Sequence, residues 1–94
     1  MSASHDEKGR MPEVTFSTFI LSLASSTLVQ LGEVPDPATG RTIAADPLTA
    51  RHSIDILDML REKTRGNLTE QESQMLESML YELRMKYVMK CGKA

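Results

Sequence analysis

Residues Val14 to Gly32, VTFSTFILSLASSTLVQLG, contain no charged side chain, although Glu13 and Glu33 bracket them and 26% of the chain is charged. Within the stretch, Phe16, Phe19, Ile20 and Leu23 recur at i, i+3, i+4 and i+7, a helical spacing, and strict alternation is absent. The run therefore reads as a helix from about residue 15 to 31, with Thr15 as N-cap and Gly32 as a left-handed stop. On a helical wheel Phe16, Phe19, Ile20, Leu21, Leu23, Ala24, Leu28 and Leu31 cover more than half the circumference, and Thr18, Ser22, Ser25 and Ser26 cover much of the rest. An ordinary surface helix would place charges on that remainder. The small side chains found there let a second backbone come close.

Such a run could also cross a membrane. Its length just meets the requirement, but Thr15, Ser17, Thr18, Ser22, Ser25, Ser26, Thr27 and Gln30 are polar, and the flanks are acidic with no aromatic or basic anchors. Burial within a soluble assembly is the expected role.

Upstream, residues 1–13 mix Ser, Asp, Glu, Lys, Gly and Pro12 with little to bury, which predicts a disordered N-terminal tail without the apolar core of a signal peptide. Downstream, in EVPDPATG from Glu33 to Gly40, two prolines forbid helix, Asp36 can bond a turn and Gly40 can take positive φ. Val34 and Ile43 flank this turn, which is expected to fold back on the helices, and a short strand-like pairing across it is compatible with the sequence.

Asp46 and Pro47 open a second helix over about 47–65, stopped by Gly66. Ala50, Ile54, Ile56, Leu57, Met59 and Leu60 form its apolar arc, and Arg51, Asp55, Asp58, Glu62 and Arg65 its solvated stripe. Thr69 and Glu72 form a capping box that starts a third helix over about 70–89, with a seam of Leu76, Met79, Leu80, Leu83 and Tyr87. Acids fill its first turns, and Arg84, Lys86 and Lys90 its last, in accord with the helix dipole. Residues 91–94 are expected to be loose. The fold class is all-α: one helical domain over residues 14–90, with three helices joined by a long Pro/Gly loop and a short turn.

Ordering roughly 55 helical residues costs about 1.5 kcal/mol each, so a core this small leaves little net stability for an isolated subunit. The apolar arcs are also wider than a three-helix monomer can cover, which predicts a bundle completed by oligomerisation. A C2 homodimer through the first helix is the simplest closed form, using Phe16, Phe19, Ile20, Ser22, Leu23 and Ser26; a tetramer is the next possibility.

The sequence shows no nucleophile constellation, metal-ligand cluster or phosphate loop, so no cofactor, metal or catalytic residue is assigned. Cys91 is the single cysteine, which forbids an internal disulfide and suits a reducing cytoplasm. Of the seven methionines, Met59, Met75, Met79, Met85 and Met89 read as core and interface filler rather than as an adaptable peptide groove. The expected function is a non-enzymatic, homo-oligomeric interaction module. Its exposed groove, or the loop residues Val34, Pro35, Asp36, Pro37 and Gly40, would contact another protein.

Three other readings compete. Arg61, Lys63, Arg65, Arg84, Lys86, Lys90 and Lys93 could bind nucleic acid, but a net charge of −2 and interspersed glutamates weigh against it. An enzyme would have to draw on Glu33, Asp36, Arg51, His52 and Asp55. Peripheral membrane attachment is the third.

The segments FSTFILSLASSTLVQLGEVPDPATG, SIDILDMLREKTRGNLTEQE and MLYELRMKYV, in that order, resemble a family of small bacterial proteins, domain of unknown function family 1844. The resemblance spans about three-quarters of the chain, and residues 41–47, RTIAADP, are where it is expected to vary most. It implies a bacterial, cytoplasmic, helical protein with no assigned activity, and transfers no functional residue.

Overall fold

The structure, a computed structural model, describes residues 13–92. The expected disordered tail therefore lies outside the described residues except for Glu13, as do the last two residues of the chain. Three helices follow in order, α1 (Phe16–Gln30), α2 (Pro47–Lys63) and α3 (Glu70–Cys91), and the described residues contain no strand.

Each helix starts where a side chain satisfies its orphan amides. Thr15 Oγ1 accepts from the Thr18 amide at 3.0 Å and the Thr15 amide donates to Thr18 Oγ1 at 3.1 Å, a capping box with threonine in the place of the usual acid. Asp46 Oδ1 accepts from the Thr49 amide at 3.3 Å, with Pro47 at the first helical position. The Thr69 and Glu72 pair closes at 3.1 and 2.9 Å.

The C-terminal ends depart from expectation in two places. Helix α2 stops at Lys63, two residues early: Thr64, whose amide and hydroxyl both donate to the Leu60 carbonyl at 2.9 and 2.7 Å, is the last to bond four residues back, and the Arg65 amide donates instead to the Glu62 carbonyl, three back, at 3.3 Å. Helix α3 continues to Cys91 rather than fraying near Met89. The Gly92 amide donates to the Val88 carbonyl at 2.9 Å, Gly92 takes φ +97°, and Cys91 packs half-buried against the core. Cys91 thus belongs to the folded domain, not to a loose tail.

The three helices touch pairwise around one core. Ile20, Ala24 and Thr27 of α1 are buried at i, i+4, i+7, and Ala50, Ile54 and Leu57 of α2 repeat that spacing. Leu76, Leu80, Leu83 and Tyr87 of α3 supply the facing seam, and Leu31 closes one end. Thr27 is the one buried polar residue among those described, and its hydroxyl donates to the Leu23 carbonyl at 2.8 Å, so it leaves no orphan group. Ser53 Oγ donates to Gln30 Oε1 at 2.8 Å and ties α1 to α2.

The Pro/Gly loop folds back as expected, but through a turn rather than a strand pair. Asp36 Oδ1 accepts from the Ala38 amide at 2.9 Å, and the Asp36 carbonyl accepts from the Gly40 amide at 2.7 Å. One backbone bond, from Asp36 N–H to the Arg41 carbonyl at 2.9 Å, closes the mouth of the turn. The returning chain is fastened to α1 by the Asp46 amide, which donates to the Gln30 carbonyl at 2.8 Å. It runs directly over Gly32, whose φ is +74° and where a Cβ would stand 2.8 Å from the Ile43 carbonyl oxygen. Only glycine fits both demands.

Candidate interaction surfaces

Among the described residues, two surfaces combine exposed apolar side chains with a groove. The first is the outer face of α1. Phe19 is 49% exposed there, and Leu21, Ser22, Ser25 and Ser26 are exposed beside it. The folded-back loop borders this face, and Ser25, Ser26, Val29, Gln30, Asp36, Pro37 and Ile43 together line a groove of about 410 Å³. The helix and the loop that the sequence marks as separate contact regions therefore form one surface.

The expected interface residues do not all lie on it. Phe19, Ser22 and Ser26 face outward, and Phe16 and Leu23 are half-buried against the subunit's own core. Ile20 is only 1% exposed and points into that core, so it is corrected from interface to core residue. Its position at the start of the i, i+4, i+7 set shared with Ala24 and Thr27 is the reason. In the loop, Pro35, Pro37 and Gly40 are exposed, Val34 is half-buried, and the Asp36 carboxylate is engaged by the turn.

Sequence reasoning missed the second surface. Tyr81, Met85 and Val88 recur at i, i+4 and i+7 on α3 and, with Met89, are exposed on a different face from the buried seam. With Arg61, Glu77, Leu80 and Arg84 they line a groove of about 400 Å³. Met75 and Met79 do fill the subunit core, whereas Met59, Met85 and Met89 do not. The signal was present as a second heptad-like series, Tyr81, Met85 and Val88, each following a seam residue by one or two positions and masked by overlap with Leu80, Leu83 and Tyr87.

A string of charges lies beside this second groove and braces α2 against α3. Arg84 reaches Asp58 at 3.2 Å, Asp58 also pairs with Arg61, and Arg61 donates to Glu77 Oε1 at 3.0 Å. Desolvation opposes the Arg61 charge, but the Glu77 hydrogen bond and the charges of Glu77, Asp58 and Glu62 outweigh it and hold the guanidinium above its ordinary pKa. Its Nε is buried with no hydrogen-bond partner and has the Glu62 carboxylate 3.8 Å away. Arg65 donates to both Glu62 oxygens, at 2.8 and 2.7 Å, and so lowers the Glu62 pKa. At the other end of α3, Lys86 and Lys90 both approach Glu33 at 3.7 Å.

These pairings neutralise most of the residues on which nucleic-acid binding would depend. Among the described members of that set, Lys63 alone carries no ion pair to a described residue, and Lys93 lies outside the described residues. The residues weighed for an enzyme are likewise dispersed. Glu33 faces the two lysines, Asp36 shapes its turn, Arg51 and Asp55 form an exposed pair at 3.9 Å, and His52 is exposed and lines neither groove. Among the described residues no three His, Cys, Asp or Glu side chains gather as a metal site, and no helix is long and apolar enough to cross a membrane.

Comparison with known proteins returns no matching curated protein and no matching solved structure. The family model described as "Domain of unknown function (DUF1844)" matches residues 13–89, from just before the α1 cap to the last turns of α3, and the chain therefore belongs to the DUF1844 family.

Proposed function

We propose that this protein is a non-enzymatic, homo-oligomeric interaction module that self-associates through the outer face of α1 and the loop beside it. The observation that carries this reading is the combination of exposed Phe19 and Leu21 with exposed Ser22, Ser25 and Ser26 on a helix without one charge between Glu13 and Glu33. A solvent-facing helix gains solubility from charge on its outer face, and a contact face gains from small residues that admit a second backbone. A two-fold axis across α1 would place this patch against its own copy, the simplest closed arrangement. The ion pairing of the basic residues favours this reading over nucleic-acid binding. A single half-buried thiol, Cys91, suits the reducing cytoplasm.

Light-scattering mass in solution tests the reading. The wild-type chain should be oligomeric, and Ser22→Lys or Ser26→Lys should reduce its mass by at least half with helicity unchanged, because a buried lysine in the contact has no partner. An unchanged mass in both variants overturns it.

A further inference from the structure

We infer that α3 carries a second self-association surface, the groove formed by Tyr81, Met85, Val88 and Met89, and that its occupant is the same groove of another copy in antiparallel orientation. The inference goes beyond the α1 reading and is independent of it. Together the two surfaces make a tetramer of two-fold pairs.

Area is the first support. Tyr81 is 68% and Met89 77% exposed, with Met85 and Val88 each close to half. Taking about 150–250 Å² for a full large side chain, the four leave roughly 450 Å² open to water. A standard interface covers about 800 Å² per partner, a little over half of it non-polar, so these four residues supply about the apolar area that one side of a stable dimer needs. That patch also lies within the size range of the largest apolar patches on monomers, which are often functional.

The lengthwise charge and dipole pattern of α3 is the second support, and it selects the direction in which a second copy would lie. From Glu70 to Leu80 the helix has Glu70, Glu72 and Glu77 and no base, and from Tyr81 to Cys91 it has Arg84, Lys86 and Lys90 against Glu82 alone. A parallel pair would stack acid on acid and base on base. An antiparallel pair centred near Met85 avoids that and opposes the two helix dipoles, while Glu77 keeps its partner Arg61, and Lys86 and Lys90 keep Glu33, within each subunit. Tyr81 of each copy then meets the Val88 and Met89 region of the other, and an i, i+4, i+7 series pairs with itself about one two-fold axis. The Arg84–Asp58–Arg61–Glu77 string holds α3 to α2 beside the groove, so the seam is presented on a braced helix.

Met85→Glu and Met85→Lys, made separately in the full chain, test the inference by light-scattering mass alongside Ser26→Lys. Met85 is exposed in the subunit, so circular dichroism should be unchanged. The expected result is a wild-type tetramer that falls to a dimer with either Met85 variant and to a monomer when a Met85 variant is combined with Ser26→Lys. A dimer abolished by Met85→Glu and indifferent to Ser26→Lys upholds the α3 surface and overturns the α1 reading. Any mass unaffected by both Met85 variants overturns the α3 inference and leaves that groove to another protein. A wild-type monomer overturns both.

Discussion

Helices α1 and α2 bury the same kind of seam, and both expose large apolar side chains, Phe19 and Leu21 on one and Leu48 and Met59 on the other, but they differ in the charge they show to the outside. Each contributes three buried residues at i, i+4, i+7, Ile20, Ala24 and Thr27 in one and Ala50, Ile54 and Leu57 in the other. Outside, α2 carries the charged residues Arg51, Asp55 and Glu62, and α1 carries Phe19, Leu21, Ser22, Ser25 and Ser26. Since core packing is equivalent, it cannot be what keeps charge off α1. In the proposed function the outer face of α1 answers to a contact beyond the subunit, and that of α2 answers to water.

The largest effects should fall on what the two helices share. Ile20→Ala and Leu57→Ala should each cost about 2–5 kcal/mol in chemical denaturation, since both side chains are fully enclosed. A much smaller loss for Ile20 would break the equivalence and move α1 out of the core. Next come the helix exits. Gly66→Ala should cost about 1–2 kcal/mol because φ is +81° with open space around the added methyl. Gly32→Ala should cost more, because its methyl also meets the Ile43 carbonyl oxygen. Equal losses in thermal melts would show that the loop yields freely.

Caps should matter at about 1 kcal/mol. Thr15→Ala and Thr69→Ala each remove the acceptor for an N3 amide, and similar decreases in melting free energy are expected for α1 and α3. Smaller still is the effect of outer-face charge on the folded subunit. Ser26→Lys and Asp55→Lys should both stay within about 0.5 kcal/mol at concentrations too low for assembly, and only Ser26→Lys should change the mass at high concentration. Equal effects of the two on mass would erase the distinction between the helices.

The slightest effect concerns the exposed Glu62 and Arg65 pair. Arg65 holds the Glu62 carboxyl below its ordinary pKa, so the stability that it adds is present above the ordinary carboxylate pKa of about 4.3 and disappears as pH falls through the lower folded value. Wild type and Glu62→Gln should differ slightly in denaturant midpoint at neutral pH and coincide in strong acid.

Local chemistry made much of the fold legible. Thr15, Asp46–Pro47 and Thr69 with Glu72 marked all three helix starts, and Gly32, Gly40 and Gly66 all take the positive φ that turn chemistry demands. Two helix ends were misjudged, one of them set by tertiary packing. Cys91 packs against the core and carries α3 past Met89, whereas the early end of α2 at Thr64 is a local turn, with the Arg65 amide on the Glu62 carbonyl, that the stop at Gly66 did not reveal. The surfaces were legible in part. The uncharged run pointed to α1 and the prolines to the loop, but that Ser25, Ser26 and Val29 share one groove with Pro37 and Ile43 depends on the path of the loop after Gly40.

Helix number, type, order and start sites, together with the absence of charge on α1, follow from the sequence by itself, because caps, helical periodicity and glycine torsions act over a few residues of chain. Which apolar residues of α1 turn inward was decided only in three dimensions. Ile20 and Phe19 are neighbours of equal promise on a wheel, and only the positions of the other helices assign Ile20 to the core and leave Phe19 half-exposed to water. A helical wheel gives the angle between side chains but not the direction of the neighbours that will cover them, and that direction is a property of packing.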